Sequence, residues 1–377
     1  STVVGESHHH HAATVATSPH ASQNYRRIKA TDVSAPANGT QRADMRPSRS
    51  DALLALAVAA QWCSLAGGSS GDRQPAYRRC VSHCAATGGC ARAAPRANAG
   101  AGECPLVCGR AAQGLLVAAL WGCEDECRYH CMWECERLAD GVPPQKYHGK
   151  WPFLRVGGCQ EIVSAVASLG NLAAHLAGYS SIRSAHDKGG RRYGYMTLWT
   201  AYFLASVAAW TASAAFHTRD TLATERLDYG AANAVIATGV WSSLVRCTAT
   251  SRLWVPGAAV FLALLAHLTY MNGVKFDYGW NMAVCVAAGL AQSALWARWV
   301  GAVGHPGRRK LWLFLGAVNA AMLLEVLDFP PLWQLLDAHA LWHLATVPLV
   351  ALWYAFLRAD IAWEAGRPAT TAANKQM

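Results

Sequence analysis

From about residue 159 the chain becomes a succession of apolar runs near 20 residues long, separated by short polar gaps: 159–179, 197–216, 229–248, 253–272, 279–300, 310–327 and 339–357. A helix rises about 1.5 Å per residue, so a run of about 20 covers the roughly 30 Å hydrocarbon layer of a bilayer. The pattern predicts an all-α membrane protein with a seven-transmembrane helix bundle over 158–358 and a tail over 359–377. Upstream the pattern is different. Residues 1–44 are rich in Ser, Ala, Thr and His, including His8 to His11, and lack apolar periodicity. Such a segment cannot bury enough surface to fold and is expected to be low-complexity and disordered. Residues 45–68 open with the basic Met45-Arg-Pro-Ser-Arg, continue through an apolar run from Ala52 to Ala60, and reach small residues at Leu65-Ala-Gly-Gly-Ser. That is the anatomy of a secretory signal peptide, with Met45 as a natural initiator and cleavage near 66–70.

Composition alone leaves two classes open, because 377 residues with 53% hydrophobic and 15% charged side chains would also suit a large soluble domain. The spacing of the apolar runs decides between them. The formal charge of +10 sits in short connections without a basic, aromatic-interleaved face, which excludes nucleic-acid binding. Nine of the thirteen cysteines fall between Cys80 and Cys135. That density needs an oxidising compartment or a metal. The spacings Cys80-x3-Cys84, Cys104-x3-Cys108 and Cys123-x3-Cys127-x3-Cys131-x3-Cys135 are helical steps rather than the C-x2-C knuckles of structural zinc. A small disulfide-rich lumenal module over 69–157 is expected, its pairing open and Cys159 a candidate tenth partner. Pro143-Pro144-Gln-Lys-Tyr-His148-Gly-Lys-Trp-Pro-Phe153 reads as a turn-rich approach to the membrane, with Trp151 and Phe153 suited to its interface.

A lumenal start and seven spans put the C-terminus in the cytosol, and the charges agree with that orientation. The gaps assigned to the cytosol hold Arg183, Lys188, Arg191 and Arg192, then Arg246 and Arg252, then Arg308, Arg309 and Lys310. The lumenal gaps hold chiefly Arg219, Arg226 and Lys275, with the acids Asp220, Glu225, Asp277 and Asp328, as the positive-inside rule requires.

That topology brings the polar clusters to one side. Span two ends at Ser213-Ala-Ala-Phe-His217-Thr-Arg-Asp220, span three opens with Leu227-Asp228-Tyr229, and span seven opens with Asp337-Ala-His339-Ala-Leu-Trp-His343. His339 and His343, four apart, share a helical face with Cβ atoms roughly 6 Å apart, close enough to hold one ion. Ionisable side chains within a membrane helix cost about 2.5 to 3.5 kcal/mol at its centre, so a cluster of them points to a use. Three imidazoles leave a fourth position for water, the catalytic rather than the structural arrangement of zinc. Ser213, one turn before His217, is placed to hydrogen-bond that water or a developing oxyanion, and Asp228 to orient the water or act as general base. Glu161 at the start of span one is a candidate proton donor. Asp220 and Asp337 are candidates for supporting an imidazole, and His267 and Asp277 for contacting a phosphate or glycan. His175 is expected to be a packing residue, and Pro330-Pro331 to stop span six.

The order Ser-x3-His, Leu-Asp-Tyr and His-x3-His resembles the CREST superfamily of membrane hydrolases. The strings Gly71-Asp72-Arg73, Cys131-Met-Trp133, His148-Gly-Lys-Trp-Pro-Phe153, Phe216-His-Thr-Arg-Asp220, Phe276-Asp-Tyr-Gly279 and Leu327-Asp-Phe-Pro-Pro-Leu332 resemble its GPI-lipid-remodelling branch, the Per-like post-GPI-attachment phospholipases, over roughly 71–363. The resemblance implies a multi-pass endomembrane enzyme of Golgi or endoplasmic reticulum. Such an enzyme is a phospholipase A2 that hydrolyses the sn-2 acyl ester of the phosphatidylinositol of GPI-anchored proteins. It further implies Zn2+ on His217, His339 and His343, with Ser213 and Asp228 in support. Two other classes compete. A receptor or protein-maturation factor with a structural zinc would close the site with a fourth ligand, and an ion transporter would carry polar residues through mid-membrane.

Overall fold

The computed structural model describes residues 69–87, 121–139, 141–189, 193–248, 252 and 254–366. All of them fall in one compact unit spanning 56–377. The low-complexity segment, the expected signal peptide, Cys90, Cys104, Cys108 and the chain after 366 lie outside the described residues.

Nine helices are described: α1 (Pro75–Thr87), α2 (Cys123–Leu138), α3 (Ile162–Lys188), α4 (Met196–Thr218), α5 (Leu222–Thr248), α6 (Trp254–Gly273), α7 (Tyr278–Ala302), α8 (Arg308–Leu327) and α9 (Ala338–Ala365). The first two form the disulfide module. Cys80 and Cys84 on α1 pair with Cys131 and Cys127 on α2, so each i, i+4 pair makes one edge of an antiparallel staple. Cys123 is disulfide-bonded as well. Cys159 is not a disulfide partner: its thiol is free and buried, with Sγ 3.7 Å from the carbonyl oxygen of His217, and Cys135 is likewise free and buried. Tyr77 and Tyr147 pack against the stapled cysteines to complete a small core.

Each of the seven apolar runs lies on one of the helices α3 to α9. Five of them, α3, α6, α7, α8 and α9, are long and apolar enough to cross a membrane. The other two, α4 with 23 residues and α5 with 27, are long enough, but neither has an 18-residue stretch whose hydropathy reaches that of the five. Their polar residues explain the shortfall. Ser206, Ser213 and His217 on α4 and Asn233, Ser242, Ser243 and Arg246 on α5 are all buried inside the bundle, where a hydropathy average still counts them. Packing runs α3–α4–α5–α7–α8–α9 and back from α9 to α3, a closed ring with α6 leaning on α5 from outside. The α3–α9 seam is tight, since a Cβ on Gly178 would lie 2.1 Å from the Tyr354 ring. The rim of α6 leaves Phe261, Leu262 and Leu265 more than half exposed, an apolar surface suited to lipid.

Short connections make neighbouring helices antiparallel, so the starts of α3, α5, α7 and α9 share one end with the finishes of α4, α6 and α8. Helix α8 stops as its prolines require, with Asp328 in the left-handed region at φ 43° just before Phe329-Pro330-Pro331. At the opposite end α9 continues through Ala365, past the expected start of a tail at 359. Burial explains the extension. Asp360 is fully buried and takes a two-pronged contact from Arg246, Nη2 to Oδ1 at 2.7 Å and Nε to Oδ2 at 3.1 Å, while the Tyr193 hydroxyl donates to Oδ2 at 2.5 Å. Trp296, Trp299, Trp353 and Phe356 enclose the adjoining half of the ring. His175 packs as expected, buried with Nδ1 3.2 Å from the Tyr354 hydroxyl.

Breaking a buried ion pair strands the remaining charge, which costs about 3–5 kcal/mol. Arg246→Met is therefore expected to lower the unfolding free energy of the detergent-solubilised protein by that much, whereas Ala in place of exposed Arg358 leaves it unchanged. Equal stabilities for the two variants would show that the pair does not hold this end together.

Candidate functional site

The site lies where α3, α4, α8 and α9 meet. Immediately before α3, Val156 and Cys159 close a tight turn over Gly157 and Gly158, both with positive φ, and the chain then pairs with the end of α4. The Gln160 amide donates to the Thr218 carbonyl at 3.0 Å and the Glu161 amide to the His217 carbonyl at 2.9 Å. This backbone pairing sets the Glu161 side chain against His217, whose Nδ1 lies 2.6 Å from Oε2. On the other side of the ring the Glu325 carboxylate, near the finish of α8, lies 2.7 Å from Nδ1 of His339. The third imidazole, His343, has Nδ1 3.2 Å from the hydroxyl oxygen of Ser168.

These contacts fix the tautomers. Carboxylates only accept, so the Nδ1 atoms of His217 and His339 carry protons and donate. The Ser168 hydroxyl spends its one proton on the Ser164 carbonyl at 2.7 Å, leaving its lone pairs for His343 and for the Ser213 hydroxyl at 3.0 Å. All three Nδ1 positions therefore hold hydrogens and all three Nε2 lone pairs turn inward. The Nε2 atoms of His339 and His217 are 3.3 Å apart and those of His343 and His339 2.8 Å, and the three atoms lie within 4.8 Å of one another.

Lone pairs brought together in this way repel unless a cation lies among them. Tetrahedral zinc on imidazole, with Zn–N about 2.0–2.1 Å, spaces its nitrogens by about 3.3 Å. The 3.3 Å separation matches that value and the 2.8 Å one is shorter, and the imidazole donor set of His217, His339 and His343 could hold a metal ion. His217 and His343 are buried at 2% exposure, whereas the His339 side chain is 35% exposed and forms the open edge. Trp342 stacks on His339, with ring centroids 5.8 Å apart, and Trp210 meets His343 edge-on.

The structure brings together the three expected histidines and Glu161, and places the remaining candidates around them. Ser213 is buried and reaches His343 through Ser168 rather than directly. Asp228, half-buried on α5, does not belong to the group that could hold an ion. Asp337 caps α9, accepting from the Ala340 amide at 2.7 Å, while the imidazole beside it is served by Glu325. Asp220 lies 3.5 Å from the Lys150 ammonium. Asp277 caps α7 at the Trp280 amide and pairs with Lys275, and His267 meets Asn281 at 3.0 Å. His267 lines a lateral cavity of about 600 Å³ together with Ala266, Tyr270 and Trp280.

Two supports escape sequence reasoning. Glu325 directly follows Met322, Leu323 and Leu324 in the apolar finish of α8, and Ser168 sits in a small-residue stretch of α3. A carboxylate inside an otherwise apolar helix is the available signal for Glu325, because such a group needs a partner. Its second oxygen receives the Tyr278 hydroxyl at 3.3 Å from the start of α7. Outside the helices the charge balance also favours the arrangement. Glu161 has the Lys150 ammonium at one oxygen and His217 at the other. Burial opposes the charge on Lys150, and Glu161 and Asp220 outweigh it, raising the ammonium above its ordinary value.

A model of the Per1-like family matches residues 115–361. The GPI-specific phospholipase A2-like PGAP3 of Mus musculus is 39% identical over 316 residues, covering 82% of this chain and 92% of its own. The protein of the same name from Homo sapiens is 36% identical, covering 82% of this chain and 93% of its own. The Protein PER1 homolog of Schizosaccharomyces pombe is 35% identical, covering 63% and 74%. No solved structure matches. The chain belongs to the Per1-like family.

Groups that orient a metal-binding imidazole typically contribute about 10–100-fold in metal affinity. Glu325→Ala is expected to weaken divalent-metal uptake by about that factor, measured by competition with a chelator, while Asp337→Asn, which keeps the cap, leaves uptake unchanged. Equal uptake by Glu325→Ala and the unaltered protein would remove Glu325 from the site.

Proposed function

We propose that this chain is a GPI-anchor lipid-remodelling hydrolase, a zinc-dependent phospholipase A2 that cleaves the sn-2 acyl ester of the phosphatidylinositol of GPI-anchored proteins. The observation that carries the reading is the convergence of three Nε2 lone pairs from His217, His339 and His343, each backed by an acceptor at Nδ1. The names of the relatives supply the reaction class, and family membership brings it to this chain.

Zinc on these three residues would supply a Lewis acid able to polarise an ester carbonyl or to acidify water. The protein's own groups do the rest. Glu161, Glu325 and Ser168 hold the rings at Nδ1, so Nε2 is the atom each would present to a metal. Ser213 stands behind Ser168. Asp228, in the second turn of α5, shares this end of the bundle and is the candidate base. Attack of water on the ester breaks the acyl C–O bond and yields a free fatty acid and the lyso-lipid, with no covalent enzyme intermediate needed. The exposed edge of His339 gives substrate and water an approach, and a three-ligand group with an open edge supports catalysis over a structural zinc.

The reading places all of α3 to α9 across the membrane, with the polar faces of α4 and α5 turned inward. It puts the disulfide module and the site on the lumenal side of Golgi or endoplasmic reticulum and the end of α9 in the cytosol, as disulfide chemistry and the distribution of Arg and Lys favour. The diacyl lipid then meets the histidines from the membrane, just beneath its own headgroup.

The test is to purify the protein in detergent, measure bound zinc and supply a diacyl GPI-anchored protein. Release of one fatty acid per anchor is expected, with loss of both zinc and release in His339→Ala. Undiminished release from metal-free His339→Ala would overturn the mechanism.

A further inference from the structure

Lys150 reaches toward the histidine centre, yet it belongs to the segment that leads out of the disulfide module. Its position is set by a tight turn. Tyr147 and Lys150 exchange both backbone hydrogen bonds, at 2.7 and 3.0 Å, around His148 and Gly149, whose φ values are 50° and 85°. Positive φ at both central residues is the type I′ hairpin turn, and Gly149 is the residue type it favours. The first arm of the turn is anchored: Tyr147 is buried in the module core, and its hydroxyl donates to Glu136 on α2 at 2.8 Å. The second arm sends Lys150 the other way, toward the ring of helices.

There the ammonium meets Oε1 of Glu161, lies 3.5 Å from Asp220 and sits 3.9 Å above the ring of Phe216, the neighbour of His217. Glu161 is thus gripped at both oxygens, Oε1 by Lys150 and Oε2 by His217 at 2.6 Å. A carboxylate held at one oxygen alone can swing about its last bond. Held at both, it has one orientation, and so has the imidazole that donates to it. The grip also supplies the counter-charge that a carboxylate with 5% exposure requires.

We propose that Lys150 is a positioning residue for the histidine centre, delivered by the disulfide module, which fixes Glu161 and through it the orientation and tautomer of His217. Lys150 meets Glu161, Asp220 and the Phe216 ring, and it acts on the imidazole through Glu161. The inference rests on the reading of the three histidines as a metal centre, and it ties that centre to the folding of the module that carries Tyr147. Lys146, on the same segment, is the natural contrast. Its ammonium pairs with Asp328 at 2.5 Å and lies over Trp151, away from Glu161.

The experiment uses the full chain in detergent and two readouts. Zinc affinity is measured by chelator competition, and the tautomer of His217 by nitrogen-15 spectroscopy of ring-labelled, zinc-free protein. Lys150→Met is expected to weaken zinc binding about 10–100-fold and to give His217 a mixed population of tautomers in place of Nδ1–H alone. Lys150→Arg should restore most of both, and Lys146→Met should change neither. Should Lys150→Met fail to fold, Lys150→Gln, which keeps a donor without the charge, is measured in the same way. Unchanged affinity and an unchanged tautomer in the neutral variant would overturn the proposal while leaving the metal centre in place. If the unaltered protein takes up no zinc, the metal reading fails, and the nitrogen-15 comparison still decides whether Lys150 orients His217.

Discussion

The constraint on which the site depends is the occupation of three Nδ1 atoms. A neutral imidazole has one donor and one acceptor, and a buried acceptor at Nδ1 decides which nitrogen is which. Glu161, Glu325 and Ser168 make that decision for His217, His339 and His343, and the three remaining lone pairs are left facing one another, with Nε2 separations of 2.8 and 3.3 Å about His339. No single helix could impose this arrangement. The rings come from α4 and α9, and their supports from the start of α3, the finish of α8 and a position two turns further along α3. The fold holds in place a geometry that the isolated side chains would avoid, as is expected of a site organised before its ligand arrives.

Antiparallel succession makes this possible with short connections. Because α3, α5, α7 and α9 begin where α4, α6 and α8 finish, Glu161, His217, Tyr278, Glu325 and His339 share one end of the ring despite spanning much of the sequence. The same rule collects Tyr193, Arg246, His305 and Asp360 at the other end. There His305 Nε2 lies 3.3 Å from Asp360, and its Nδ1 accepts from the Gly307 amide at 2.9 Å. One end uses its buried polar groups to close the bundle. The other leaves a vertex of nitrogen atoms open at His339.

The histidines were legible in the sequence because helical spacing and an alternating topology are local and countable. His339-x3-His343 follows from the period of the helix, and His217 follows once the number of apolar runs between it and α9 is known. Glu161 could be seen at the start of a run, though not as the partner of His217, since that pairing rests on backbone hydrogen bonds from Gln160 and Glu161 to the finish of α4. Ser168 and Lys150 were not legible as supports. A serine in a small-residue helix ordinarily answers its own helix, as Ser168 does with Ser164, and its lone pairs acquire meaning only when α9 arrives. The module shows a similar limit. Spacing put Cys80, Cys84, Cys127 and Cys131 on helical edges, but only the packing of α1 on α2 pairs them and leaves Cys159 out. Apolarity located seven helices and understated two, because hydropathy cannot tell a polar residue facing lipid from one facing Arg246 or His217.

Position along the ring also bears on what the site can act upon. The half beyond the histidines is filled by Trp199, Trp296, Trp353, Tyr354 and Phe356, and the His175–Tyr354 pair sits in that packing rather than continuing a hydrophilic path. An ion route through the ring would need polar lining from end to end. The buried polar groups between the two ends, Asn171, His175, Ser206 and Asn233, are each taken up by a neighbouring carbonyl or hydroxyl rather than facing an open path. A group that reacts here must therefore arrive from the His339 edge, past Trp342, and stay near the helix ends. An ester linking acyl chains to a polar headgroup has that disposition by its own chemistry: its carbonyl lies at the boundary between hydrocarbon and water, within reach of helix ends and far from a bilayer's centre. On the proposed orientation the histidines would share the depth of such an ester, and that match, more than the identity of any one ligand, favours a membrane lipid as the substrate.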